Sequence, residues 1–287
     1  MYIYSALLRP MIKNLYDRTR RLLIRKLRPR TYIKPPATTE SVHIMVVGVY
    51  LANRPNYIKH IVSELACSKF HKVTQRWAAL NGEPPNERVA QVTKIITKSR
   101  TPKFTLINQL LAGVDMPEFN YLIVLDDDVV LPYRFIDKFI MAQQFCDFAL
   151  CQPSRTYTSW IDHEIVRQDC TLLARQTRFV EIGPVFSVRA DFFKDAVPFD
   201  ETSPMGWGLD FVWPAKIEKL GLKMGIIDAV PIDHSLRKSV QFYNKSEANI
   251  QEKNLLEVSP HIARDEAFTV LSRIQLSDYW ADTKLAI

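Results

Sequence analysis

Three carboxylates stand side by side at Asp126-Asp127-Asp128, directly after the apolar run Tyr121-Leu122-Ile123-Val124-Leu125. Adjacent like charges repel unless a cation or hydrogen bonds hold them, so the cluster calls for a partner. An apolar strand ending in acids is how α/β proteins place a divalent cation at the carboxyl edge of a sheet, where ligands of open sheets collect. The structural alternative is that Asp128 caps the helix following Pro132. Two further stretches hold groups able to act with such a cluster. In Pro204-Met205-Gly206-Trp207-Gly208-Leu209-Asp210 an acid stands just inside a helix that continues to about Leu220, behind a turn that needs unusual backbone angles. The stretch from Lys223 reads as a short strand ending at Asp233-His234.

The elements that must position these groups follow from apolar periodicity. Val42 to Tyr50 has the β-branched run of a buried parallel strand, and Pro55 to Ala66 follows with helical spacing, a first β-α unit. Val73 to Ala79 reads as a second strand, Val89 to Thr97 as extended or mixed, and Phe104 to Ala112 as a helix leading into the acidic strand. Beyond it, Pro132 to Phe145 looks helical, Phe148 to Cys151 extended, and Val180 to Val188 a strand interrupted at Gly183-Pro184. Alternating strands and helices imply a mainly parallel sheet with right-handed crossovers. The sequence after His234 is polar and helix-compatible through Glu257, and again from Ala263 to Leu276. With eight glycines in 287 residues, and neither a Gly-x-Gly-x-x-Gly nor a P-loop pattern, phosphates would be neutralised by something other than a glycine cradle, most economically a metal.

The acidic cluster, the Gly-Trp-Gly-Leu-Asp turn and the terminal histidine, in that order and with Phe199-Asp200-Glu201 upstream of the turn, resemble the nucleotide-sugar glycosyltransferases of the GT-A fold. The resemblance covers about Val42 to His234, roughly two thirds of the chain. It implies a GT-A-like, Rossmann-like α/β fold, a mainly parallel sheet flanked by helices, with a basic N-terminal helix and a helical C-terminal tail. It also implies that Asp126-Asp127-Asp128 is the Asp-x-Asp motif and that Asp128, His234 and Asp126 hold Mn²⁺ or Mg²⁺. An imidazole ligand favours Mn²⁺. The metal would stabilise the departing diphosphate, Asp126 or Asp127 would orient the ribose or the metal's water shell, and Asp210 would accept the proton of the acceptor hydroxyl. Tyr50 would sit at the nucleotide base, and Arg76 and Lys103 would contact phosphate or base. Trp207 and Gly208 would form the acceptor side, with Trp207 as an apolar platform for a sugar ring. Each has a bland counterpart: a dipole-settling helix acid at Asp210, a core tryptophan, surface charges at Arg76 and Lys103. Leu209 departs from the Glu-Asp pair of many family members, leaving one carboxylate there.

Composition sets the surroundings. At 47% apolar and 24% charged the chain can bury a real core. Four cysteines without a Cys-x-x-Cys pair point to a reducing, cytoplasmic setting. Residues 1–36 hold ten Lys or Arg against Asp17 alone, so the basic pI belongs to the tail and the remainder is slightly acidic. Leu8, Met11, Ile12, Leu15, Leu22, Leu23, Ile24 and Leu27 recur near one helical face opposite the arginines. Such an arm suits an anionic membrane surface, ahead of packing on its own domain, joining subunits or binding nucleic acid. The expected layout is a basic amphipathic arm over 1–36, a linker over 37–41, a catalytic domain over 42–240 and a helical extension over 241–287. The expected partners are a nucleotide-sugar donor, a glycan or glycolipid acceptor and the cytoplasmic membrane face, with no nucleic acid. The runner-up is a haloacid-dehalogenase-like phosphatase, whose opening motif is also an apolar strand before Asp-x-Asp. Here, however, at least two β-α units precede the motif. A non-catalytic membrane-associated binding protein is the third reading.

Overall fold

The computed structural model describes residues 26, 28–35, 40–238 and 245–285. Most of the expected arm and most of the expected linker therefore lie outside the described residues. Nine described strands form one sheet in the order β3-β2-β1-β4-β7-β5-β8-β6-β9. They are β1 (His43–Leu51), β2 (Lys72–Leu80), β3 (Thr93–Thr97), β4 (Tyr121–Asp126), β5 (Phe148–Arg155), β6 (Leu172–Thr177), β7 (Val185–Arg189), β8 (Lys223–Ile232) and β9 (Val270–Gln275). The helices are α1 (Ile58–Leu65), α2 (Glu87–Val92), α3 (Lys103–Leu111), α4 (Phe135–Phe145), α5 (Phe193–Ala196), α6 (Leu209–Lys219), α7 (Lys245–Val258), α8 (Arg264–Ala267) and α9 (Leu276–Leu285).

The sheet is mixed rather than mainly parallel. β1, β2, β3 and β4 run parallel, as do β5 and β8, but β7 is antiparallel to both β4 and β5, and β6 to both β8 and β9. For β7 the reversal follows the expected interruption at Gly183-Pro184. Only Val185 onward joins the sheet, running back beside the acidic strand. The C-terminal extension is helical in part, with β9 standing as an edge strand where helix-compatible sequence was expected.

Both faces of the sheet are covered because its central strands are apolar on both sides. Ile44 and Val46 of β1 join one core with Ile58 and Ile61 of α1 and Phe135 and Phe139 of α4. Met45 and Val47 join the other with Phe104 and Ile107 of α3 and Val212 and Trp213 of α6. The apolar residues of α1 fall at three- and four-residue steps, Ile58, Ile61, Val62 and Leu65, and all are buried. On the far face Leu255 of α7 enters the second core beside Leu209, so the C-terminal extension is packed on α6.

Candidate active site

The acidic strand ends where the chain turns inward. Asp127 is fixed by its own backbone and side chain: Tyr57 N–H donates to its carbonyl at 2.6 Å and Leu51 N–H to its Oδ2 at 2.7 Å. A short antiparallel bridge between Val130 and Asp233, with N···O distances of 2.8 and 3.2 Å, draws the end of β8 alongside the acidic loop. That bridge places His234 Nε2 3.4 Å from Asp128 Oδ1, although 106 residues of chain part them. His234 N–H is held by Ser159 Oγ at 2.9 Å.

Each acid of the cluster already has a cation. Lys103, the first residue of α3, reaches Asp126 Oδ1 at 2.7 Å and Gly183 O at 2.9 Å. Arg237, three residues after His234, pairs with Asp127 Oδ1 and sends Nε to Asp128 Oδ2 at 3.0 Å. Burial pushes the Asp127 carboxyl up to about 7 in spite of Arg237. Burial acts on Asp128 as well, but His234 and Arg237 outweigh it and hold that carboxyl at about 2, ionised at every working pH.

The Gly-Trp-Gly turn faces the cluster. Gly206 and Gly208 both have left-handed φ, +86° and +90°, and a Cβ on Gly206 would lie 2.1 Å from the buried ring of Phe104. Ser203 Oγ donates to Trp207 O at 2.7 Å and closes the turn. Asp210 follows in the first turn of α6, with its Oδ1 buried and lacking a hydrogen-bond partner. Its carboxyl is pushed up to about 7, first by burial and then by the negative charges of Glu181 and Glu252.

The acidic cluster with its two cations, His234, the Gly-Trp-Gly turn and Asp210 line one open cavity of 640 Å³. Of the residues singled out from sequence, Asp126, Asp127, Asp128, His234, Lys103, Trp207, Gly208 and Asp210 share its wall; Tyr50 and Arg76 do not. Tyr50 is fully buried on the other face of β1, its hydroxyl 3.0 Å from Thr93 Oγ1, because strand alternation sends Val49 and Leu51 to the cavity instead. Arg76 sits on β2, where its Nε is buried without a hydrogen-bond partner. Sequence reasoning missed Arg237, Arg155, Glu181 and Glu252, which also line the cavity. Arg237 follows closely on a singled-out histidine, and Glu181 stands just before the Gly-Pro break; Arg155 and Glu252 carried no local signal.

Among the described residues no three His, Cys, Asp or Glu side chains converge as a ready metal cage. Asp128 and His234 nonetheless fit two adjacent ligands of a cation. Asp128 Oδ1 is buried with no hydrogen-bond partner, and His234 Nε2 lies 3.4 Å from it, close to the roughly 3 Å that separates neighbouring ligands of a small divalent ion.

No protein-family model matches the chain, and no curated protein does. The fold is that of the GT-A glycosyltransferases. GalNAc-T7 in complex with UDP, GalNAc and Mn²⁺ superposes with a TM-score of 0.51 at 12% identity, over 75% of this chain and 48% of that one. The mannosyltransferase PcManGT of Pyrobaculum calidifontis, in complex with GDP-Man and Mn²⁺, gives 0.49 at 15% identity, over 79% and 65%. The chain thus spans about half the length of GalNAc-T7.

Proposed function

We propose that the chain is a metal-dependent glycosyltransferase that moves a sugar from a nucleotide-sugar donor to a hydroxyl of a lipid-linked or surface-polysaccharide acceptor. The observation that carries this is the pairing of Asp128 with His234 in the same cavity as a buried, unpartnered Asp210. The titration behaviour of the two acids supports distinct roles: Asp128 is held ionised, as a metal ligand must be, whereas Asp210 sits near 7, where a general base works best.

Asp128 and His234 would hold a Mn²⁺ or Mg²⁺, which would supply Lewis-acid stabilisation of the departing diphosphate. Asp126 and Asp127 orient the ribose or ordered water around it. Lys103 and Arg237, which pair with the carboxylates here, sit where they can turn to the phosphates, Arg237 with the forked geometry that phosphate prefers. Trp207 walls the acceptor side. As the acceptor oxygen bonds to the anomeric carbon and the carbon–oxygen bond to the diphosphate breaks, the hydroxyl proton passes to Asp210. Residues 42–240 form the catalytic unit and 241–287 its extension; the basic arm holds the enzyme at an anionic, cytoplasmic membrane face. Among the described residues no helix is long and apolar enough to cross a membrane.

The test is nucleotide release from UDP-, GDP-, CMP- and TDP-sugars with and without Mn²⁺. Metal-dependent release from one nucleotide class is the expected result. Hydrolysis of simple phosphomonoesters without any use of nucleotide sugars would instead favour a phosphatase.

A further inference from the structure

The cavity is divided by charge. On one side Asp126, Asp127 and Asp128 are balanced by Lys103 and Arg237, and a divalent cation would tip that side positive, as a diphosphate requires. The other side is built differently. Glu181 pairs with the buried Arg155 through Oε1 at 2.7 Å, leaving Oε2 buried with no hydrogen-bond partner, and Asp210 Oδ1 is in the same condition. Glu252, on α7, is only 13% exposed and pairs with Arg264 at 2.6 Å. Arg155 and Arg264 are each ion-paired, Arg155 keeping a buried Nε without a hydrogen-bond partner, and three carboxylates stand against these two guanidiniums.

This wall is firmly mounted. α7 lies so close to the turn that a Cβ on Gly208 would be 3.4 Å from Glu252 Cγ and from Leu255. Ile262 N–H donates to Phe211 O at 3.1 Å, and the Arg264 guanidinium lies 4.7 Å from the centre of the Phe211 ring. From here a second hollow of 510 Å³ runs outward, sharing Asn249, Glu252 and Arg264 with the main cavity.

We propose that this half of the cavity is the acceptor subsite, that α7 and α8 supply its selective wall through Asn249, Glu252 and Arg264, and that it takes a neutral, polyhydroxylated sugar end rather than an anionic one. The inference rests on the transferase reading above. Carboxylate oxygens lacking donors are acceptor-only groups, and sugar hydroxyls are the donors that satisfy them. A uronate or phosphate at the same place brings acceptors to acceptors and negative charge to negative charge. The outer hollow gives the remainder of a glycan a way out past Glu252.

The experiment compares methyl hexopyranosides with the matching methyl uronides as acceptors, reading nucleotide release from UDP-sugars and GDP-mannose with Mn²⁺. Wild type should use the neutral glycosides with kcat/KM at least about tenfold higher, the scale of one close like-charge contact. Glu252→Lys should shift that ratio toward the uronides, with Glu252→Gln between the two, whereas a merely structural role would lower both acceptors alike. Equal or better use of uronides by wild type, no acceleration by any neutral glycoside, or an unchanged ratio in Glu252→Lys overturns the inference. Nucleoside diphosphate binding with Mn²⁺ is measured on the same wild-type protein. Its absence sinks the transferase reading itself; its presence with any overturning result sinks the acceptor inference alone.

Discussion

In the proposed transfer Asp210 is the side chain on which the chemistry turns, and its surroundings make two separable predictions. With its carboxyl at about 7, the fraction of enzyme carrying a competent base grows as pH rises through that value, so kcat/KM should climb along an acid limb centred there. Asp210→Asn should lose about 10²-fold or more of the transfer rate, the usual share of a general base, while nucleoside diphosphate binding persists. The second prediction concerns stability. A carboxyl raised from its ordinary 3.8 to about 7 binds its proton more tightly in the folded chain. Below the lower value both states are protonated and nothing is lost; between the two the unfolded chain releases its proton first, so stability falls as pH rises, and the cost is complete above 7. The gain in Tm of Asp210→Asn over wild type, followed by calorimetry, should therefore be larger at about pH 8 than at about pH 4. Equal gains at both would mean that Asp210 is not perturbed by burial. A variant with full transfer activity would remove Asp210 from the mechanism.

The turn before α6 shows how an element positions its residues. Gly206→Ala must strain a left-handed backbone and push against Phe104, which is itself packed on Phe199 at 4.5 Å and on Phe186. A loss of about 2–5 kcal/mol in chemical denaturation is expected from the two effects together; a neutral outcome would show that the turn can rearrange. This element was legible in the sequence because glycine adopts such angles most readily, and the acidic strand was legible because a short β-branched and apolar run bounded by polar residues reads as a strand buried on both faces. β8 was legible for the same reason. What escaped were elements defined by partners distant in sequence. β6, Leu172–Thr177, carries Arg175 in its middle, and the buried Asp228 of β8, bonded at 2.8 Å to Arg175 Nε and Nη2, together with the carbonyls of Ile165 and Arg167, makes that charge tolerable in a strand. β9 is an edge strand whose residues are mostly exposed, so no alternation marks it. Tyr50 was misplaced by the same rule of two: position on a strand does not say which face a side chain takes until the neighbours are known. The site shares this division. Its residues at the ends of β4 and β8 and in the glycine turn could be named in advance, while Glu252 on α7 and Arg155 at the end of β5 are brought to the cavity by packing.

At the scale of the molecule, the part of the N-terminal segment within the described residues is bound to the domain. Ile33 is 2% exposed in the first core, Tyr32 N–H donates to Ala229 O at 3.0 Å, Tyr279 donates to Lys34 O at 2.9 Å, and Arg28 pairs with Glu64. Removing residues 1–25 should abolish binding to vesicles containing anionic lipid, a binding that weakens as salt screens it. Removal through residue 35 should also destabilise, since it deletes Ile33 at a cost of about 2–5 kcal/mol. Vesicle binding that survives the shorter truncation would take the membrane role away from the basic arm. The whole account rests on a cation joining Asp128 and His234 to a diphosphate, and calorimetric titration of UDP and GDP, with and without Mn²⁺, into wild type and Asp128→Ala tests it most directly. The account predicts that one nucleotide binds wild type only when Mn²⁺ is present and that Asp128→Ala loses this metal dependence; binding that ignores both the metal and the substitution would contradict it.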